Sequence, residues 1–352
     1  MQFVMVVVVG LALLGCKKSM PTEPTDNSTA TPPVLLSVGS PTEDEDPSVL
    51  RAQDGSLLIA WFSDRGGNSD IYISRSQDGA TWPAPTRVTI LPFGDFYPNL
   101  IQGTDGTFHL VWFSWVTLAV GQIRYSSSRD GVTWTSHEAV TTEFLVDDWV
   151  PTITEAPGGG LLVYFVSAKR DQNRTADIYV VSKATGATVW SPAAKVAGIN
   201  SLTEHDHLPF VARTGAVLTM TWVRYDTSDP DFITNPKSAL YLATSTDGRA
   251  WSTPAKVTTE TGKVVNLFPE LYQHHDGSWY LMWLSTRSGV PRVWEIPLAS
   301  AGRYPAGLVL NSNLPDGYSH RMVATKNPGE YLAVWVEGVK GSRDVYYRYL
   351  KR

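Results

Sequence analysis

Six times along the chain a short apolar run carries an aromatic residue near its centre. The six are Ala60-Trp61-Phe62, Val111-Trp112-Phe113, Val163-Tyr164-Phe165, Thr221-Trp222-Val223, Met282-Trp283-Leu284 and Val334-Trp335-Val336. The lead aromatics are separated by 51, 52, 58, 61 and 52 residues. The runs are rich in β-branched and aromatic residues and bounded by turn formers, which predicts buried strands. About eleven residues upstream of most lies another strand, led by proline in five copies (DPSVL, YPNLI, VPTIT, LPFVA, FPELY) and reading SHRMVA in the sixth. Dipeptides such as Asp54-Gly55, Asp105-Gly106 and Asp276-Gly277 separate the two strands, a strong hairpin signal. A third strand follows, as in Asp70-Ile71-Tyr72-Ile73-Ser74, and then a fourth, as in Thr86-Arg87-Val88-Thr89.

Six four-stranded antiparallel units in radial repetition predict an all-β chain, a six-bladed β-propeller. The sixth unit ends on its third strand, DVYYRYL, while Val34-Leu35-Leu36-Ser37-Val38 precedes the first unit where a fourth strand would lie. Residues 34–38 are therefore expected to pair with blade six and close the ring, which removes the open sheet edges. The propeller would span 34–352.

Between third and fourth strands the chain repeats one phrase: SQDGATW from Ser76, SRDGVTW from Ser128 and STDGRAW from Ser245. A weaker copy, Ser182 to Trp190, lacks the aspartate. A short carboxylate can accept backbone N–H bonds in such a turn, and glycine can take positive φ. The phrase resembles the Asp-box (BNR repeat) of the sialidase-like propellers. Its turn lies on the face opposite the loops that enter the inner strands, so Asp78, Asp130 and Asp247 read as scaffold.

Net charge is −5, which offers nucleic acid no general attraction. The only cysteine is Cys16, so no intramolecular disulfide is possible. Phe3 to Leu14 is apolar but shorter than the roughly 20 residues a membrane-spanning helix needs; it suits the core of a secretory signal peptide. The run ends in Leu13-Leu14-Gly15-Cys16, which resembles the bacterial lipobox. That resemblance implies a lipidated Cys16, a cell-envelope lipoprotein held to the membrane by its lipid, and a flexible tether over 16–33; a plain cleaved signal is the alternative. A monomer is expected. No cofactor and no metal ligand set is assigned, although a divalent ion such as calcium at Glu204-His205-Asp206-His207 stays open.

Loops carry sites on rigid scaffolds, and the loops entering the inner strands converge on the propeller axis. They hold acids, histidines and aromatics: TEDEDP, FGDFYP, VDDWVP, TEHDHLP, VVNLFP and DGYSHR. Tyr97, Trp149 and Tyr318 beside charges favour a carbohydrate partner, since rings stack on sugars and acids take hydroxyls. Asp95, Asp148 and Asp206 are candidate carboxyls for glycoside chemistry, which needs an acid and a base or nucleophile about one bond. His205, His207 and His320 are alternative acid–base groups that would suit a polysaccharide lyase. Asp46, Arg224 and Arg321 are further candidates for substrate contact.

Most of residues 34–352 resembles the sialidase family. DGSLLIAWFSDRGGNSDIYISRSQDGATW is similar to its first blade, with Arg65 where the family has a site arginine. DGYSHRMVATKNPGEYLAVWVEG is similar to its last, with Tyr318 in place of the nucleophilic tyrosine and Glu337 in place of a supporting glutamate. Arg287 matches another family arginine. The family carries Arg-Ile-Pro where this chain has Asp46-Pro47-Ser48 after Glu43-Asp44-Glu45, and acids there would repel sialic acid. The expected function is therefore recognition and processing of carbohydrate (glycosidase- or lyase-type), with a non-catalytic glycan- or protein-binding propeller as the alternative.

Overall fold

The computed structural model describes residues 29–37, 42–117, 120–143, 146–170, 175–228, 237–259, 262–289, 291–300 and 318–352. It is a six-bladed β-propeller of antiparallel blades. Blade one is formed by Asp44–Arg51, Leu57–Ser63, Asp70–Ser76 and Thr86–Arg87, and blade two by Asp95–Gln102, Phe108–Thr117, Val120–Ser128 and Glu138–Ala139. Blade three uses Asp148–Glu155, Leu161–Ser167, Asp177–Lys183 and Ala194–Lys195. Blade four uses His205–Thr214, Val217–Tyr225, Ser238–Ser245 and Ala255–Lys256. Blade five contributes Asn266–Gln273, Trp279–Ser285 and Arg292–Pro297; the segment 301–317, where its fourth strand is expected, is outside the described residues.

Blade six, Tyr318–Ala324, Glu330–Val339 and Ser342–Lys351, is completed from the other end of the chain. Val34 and Leu35 pair with Tyr347 and Tyr346, which closes the ring as expected. The pairing also begins earlier than expected: Thr29 and Ala30 pair with Lys351 and Leu350, inside the stretch read as tether. Leu36 is buried against Trp61, Val345 and Tyr347, so the closing strand also adds to the core between blades six and one.

The lead aromatics are the centre of the packing. Trp61, Trp112, Trp222 and Trp283 are at most 1% exposed. Each burial removes roughly 200 Å2 from water, a gross gain of about 5 kcal/mol. A buried indole N–H needs an acceptor, and the start of each inner strand supplies it. Trp61 donates to Asp44 (2.9 Å), Trp112 to Asp95 (3.0 Å), Trp222 to Asp206 (2.7 Å) and Trp283 to Asn266 (3.1 Å).

Two residues after that anchor each inner strand breaks register, and a residue with positive φ sits at the break: Asp46, Tyr97, Val150, Leu208 and Phe268, with φ from 49° to 53°. Proline follows in all five of these blades. It has no N–H to leave unpaired at a bulge, which explains the proline-led strands. In blade six Ser319 takes the same conformation, and His320 stands where the proline would be. Because this conformation recurs in every blade, it belongs to the propeller and is not a local strain at a reacting centre.

The repeated phrase lies at the opposite end of the blades. Asp130 Oδ1 accepts the N–H groups of Val132 (2.8 Å) and Thr133 (2.6 Å), and Asp78 and Asp247 make equivalent pairs with the two backbone amides that follow the glycine. These bonds hold Asp130 well below the usual carboxylate range and Asp78 at about 2. The phrase also docks on the preceding blade. Tyr164 of blade three donates to the Gly248 carbonyl (2.7 Å), Tyr349 of blade six to that of Gly79, and Arg75 of blade one to that of Asp130. It is a turn and an inter-blade clasp, and no part of it faces the axis mouth.

Candidate functional site

The inner strands present three tiers of side chains at the entrance to the axis. Outermost in sequence are the anchors Asp44, Asp95, Asp148, Asp206 and Asn266, all with no exposed surface. The next residues of the strands are the collar positions, where Glu45, Phe96, Trp149 and Tyr318 are partly exposed while His207 and Leu267 are buried. The residues of positive φ form a floor, where Asp46, Tyr97, Leu208, Phe268 and Ser319 line a central well with about 30 Å3 of free volume. That admits a water or two but no sugar ring. A glycan can therefore engage the collar and the loops above it, not the axis itself. Residues 38–41, 144–145, 171–174, 229–236 and 301–317 are outside the described residues.

Below the floor the blades are joined by side chains that accept the next blade's amide. Ser48 accepts from Leu100 (3.1 Å), Asn99 from Ile153 (2.9 Å), Thr152 from Val211 (3.4 Å), and Glu270 from Met322. Phe210 and Arg321 stand at the two remaining positions. Burial pushes Glu270 up to about 8, with Arg321 Nε 3.9 Å away opposing the shift. A carboxyl raised above its unfolded value of 4.5 holds a proton in the folded state that the unfolded chain has released. Stability should therefore fall as pH rises from about 5 through about 8. Glu270→Gln is expected to flatten that decline in a series of urea titrations; parallel pH profiles for the two proteins would contradict the assignment.

Several sequence candidates turn out to be anchors or their partners. Asp95 and Asp206 hold indoles as described, and burial pushes Asp95 up to about 6. Asp148 takes Arg170 Nε at 2.8 Å, Arg170 standing where other blades have the tryptophan contact. The expected substrate arginines are likewise drawn into their blades. Arg65 donates to Asp44 (2.9 Å) and lies 5.1 Å over Tyr72; Arg224 donates to Asp206 (2.7 Å) and lies 4.4 Å over Tyr241. Arg287 is sandwiched over Trp294 and Trp283 at 4.7 and 5.0 Å. These contacts tie Asp148, Asp206, Arg65 and Arg224 into carboxylate–arginine pairs within their own blades, while Asp95 holds Trp112 and Arg287 lies over aromatic rings in a blade whose anchor is Asn266.

The histidines are packed into the blades, His320 with neither ring nitrogen hydrogen-bonded among the described residues. Burial pushes His207 and His320 down to about 3, so both are neutral at pH 7 and neither is a ready proton donor. His207 packs edge-on against Trp149 at 4.9 Å, and His205 Nδ1 accepts the Ala176 N–H at 2.8 Å. His320 lies behind the floor beside a void of about 10 Å3 shared with Trp335 and Arg348. Among the described residues no group of three or more His, Cys, Asp or Glu could hold a metal ion.

What the fold does assemble at the collar is an ionic cluster where blades six and one meet. Arg343 Nη1 lies 2.6 Å from Glu45 Oε1 and 3.0 Å from Glu43 Oε1. Its guanidinium stands 5.2 Å over the Tyr318 ring. Burial, then the neighbouring Glu45, pushes Glu43 up to about 7. Burial, then Glu45 and Asp46, pushes the Tyr318 phenol far above its ordinary value. The carboxylate against Tyr318 is Glu45; Glu337, expected there, instead meets the Trp335 indole at 3.4 Å. Across the mouth stands the partly exposed Trp149, with the buried His207 edge-on against it; Phe268 lies on the cluster's own side, 6.0 Å from Tyr318. The acids of this cluster were visible in the sequence as a charged stretch. Their counter-charge was not, because Arg343 reaches them only once the ring closes.

No family model matches the chain, and no curated protein matches it. Solved structures do. An uncharacterised protein from Dyadobacter fermentans superposes with a TM-score of 0.73 at 16% identity, covering 92% of this chain and 99% of that one. The Penicillium chrysogenum α-L-arabinanase complexed with arabinobiose gives 0.69 at 17% identity, covering 92% and 98%. The GH93 α-L-arabinofuranosidase of Fusarium graminearum with arabinobiose gives 0.68 at 17%, with the same coverage. At these identities the likeness establishes the six-bladed propeller fold.

Proposed function

We propose that the chain recognises a neutral glycan at the mouth of its propeller and processes it there. The observation that carries this reading is the two-sided mouth, with the partly exposed Trp149 ring of blade three on one side and, on the other, the Glu43–Glu45–Arg343 cluster beside Tyr318 and Phe268. Aromatic faces take the apolar side of a sugar ring, and the ionic cluster takes its hydroxyls. Propellers of the same fold that carry arabinobiose make arabinan oligosaccharides the first candidates. In hydrolysis Glu43 is the group suited to give a proton near neutrality.

A non-catalytic binder is the second reading. It is favoured by the contact of Glu43 and Glu45 with one guanidinium nitrogen, whereas glycoside hydrolysis sets its carboxyls about 5 to 9.5 Å apart, across the scissile bond. The test is a panel of neutral and acidic oligosaccharides, scored for both binding and product. Binding of a neutral member with product release supports processing, and binding without product supports the second reading. Release of sialic acid from a simple aryl sialoside, lost in Tyr318→Phe, would overturn the neutral assignment.

The same proposal places the protein at the bacterial cell envelope, lipid-anchored through Cys16. Cys16→Ser is expected to move the protein from the membrane fraction to the soluble fraction. A mutant that still sediments with membranes contradicts the anchor.

A further inference from the structure

We propose that Arg343 is a carboxylate-binding group kept closed by Glu43 and Glu45, and that this closure makes the mouth select neutral over anionic sugars. The inference rests on the mouth being the glycan site. A guanidinium fork is suited to a carboxylate, and an arginine at a sugar site is ordinarily the group that would hold one. Here one nitrogen of that fork, Nη1, is already taken. Glu45 and Glu43 both contact Nη1, at 2.6 and 3.0 Å, and the three side chains are only 14% to 17% exposed.

Glu43 is itself held. Glu43 forms a parallel bridge with Arg343, accepts the Gly341 N–H through its second carboxylate oxygen, and donates its own N–H to Asp64 at 2.8 Å. A sugar carboxylate would have to displace Glu43, which is anchored on both sides, while meeting the charge of Glu45. A sugar hydroxyl displaces nothing and can donate to Glu45. The other arginines around the axis are not substitutes. Arg65, Arg170 and Arg224 lie on the buried aspartates of their own blades, and Arg321 lies below the floor beside Glu270. Among the described residues, Arg343 is thus the guanidinium that stacks on a collar residue, Tyr318.

A purely structural ion pair would show the same distances, so the test reads selectivity as well as stability. Methyl β-glucuronoside and methyl β-glucoside, which differ by a carboxylate, are titrated by NMR into wild type and Glu43→Gln/Glu45→Gln. Wild type is expected to favour the glucoside. The double variant is expected to gain at least tenfold for the glucuronoside relative to the glucoside, and addition of Arg343→Gln should abolish the gain. A folded double variant with no such gain overturns the proposal, as does a wild type that already prefers the glucuronoside. If the double variant does not fold, Glu45→Gln alone should still shift the ratio about threefold, and no shift there overturns it as well. Failure of the glycan reading is registered separately, as neutral-oligosaccharide binding that ignores Trp149→Ala.

Discussion

A chain beginning at residue 38 is expected to be less stable than one beginning at Thr29 by on the order of 4 kcal/mol. Residues 29–37 are the outer strand of blade six. Beyond the paired residues at Thr29–Ala30 and Val34–Leu35, Thr31 donates its N–H to the Tyr349 carbonyl (2.9 Å), Leu36 to that of Val345 (2.9 Å), and Ser37 Oγ accepts the Val345 N–H (2.9 Å). Several backbone bonds, each worth about 1 kcal/mol net, disappear together with the burial of Leu36. The exposed edge of Ser342–Lys351 then becomes a template for pairing with other chains. Urea unfolding and light scattering measure both consequences. Equal midpoints for the two chains would mean that the ring is closed by something other than this strand.

The second large effect is expected at Gly248, in the third copy of the repeated phrase. Its φ is +76°, and a Cβ built there would lie 2.3 Å from Leu162 Cδ1 and 2.9 Å from the Tyr164 hydroxyl. Gly248→Val combines a β-branched residue at positive φ with a collision against the preceding blade, and should cost about 3 to 5 kcal/mol. Gly215 is the control: its φ is +79°, but nothing lies within 4 Å of the added Cβ. Gly215→Ala therefore carries the conformational cost alone, about 1 kcal/mol. Thermal unfolding of Gly248→Val, Gly248→Ala and Gly215→Ala separates the terms. If Gly248→Ala cost no more than Gly215→Ala, the clasp between blades three and four would not be the role of the phrase.

These two positions also mark what was legible in the sequence. The propeller was readable because its signals are local and repeated: a strand centre with an aromatic, a hairpin turn, a proline at the same offset. Ring closure was readable from a count, since blade six lacked a strand that Val34 and Leu35 could supply. Its start was not, because Thr29 and Ala30 sit in a polar stretch whose composition resembles a tether. The mouth was harder. Asp95, Asp148 and Asp206 occur in loops that point at the axis, yet their side chains turn into the blades to meet Trp112, Arg170 and Trp222. Alternation along a strand sends neighbours to opposite faces, and the register break after each anchor resets that alternation in a way no sequence period reveals. Arg343 and Glu45 are 298 positions apart, and their contact depends on two chain ends meeting.

The most direct test of the mouth as the recognition site compares two variants with the neutral oligosaccharide that binds in the panel. Trp149→Ala removes a collar ring, and Asp130→Ala removes the carboxylate of the phrase on the far face. Affinities are measured by calorimetry below the melting transition of each protein. Trp149→Ala is expected to lose at least tenfold in affinity, about 1.4 kcal/mol. Asp130→Ala is expected to melt earlier, with its affinity unchanged. Full affinity in Trp149→Ala, with affinity lost in folded Asp130→Ala, would put recognition on the opposite face and contradict the assignment of the mouth.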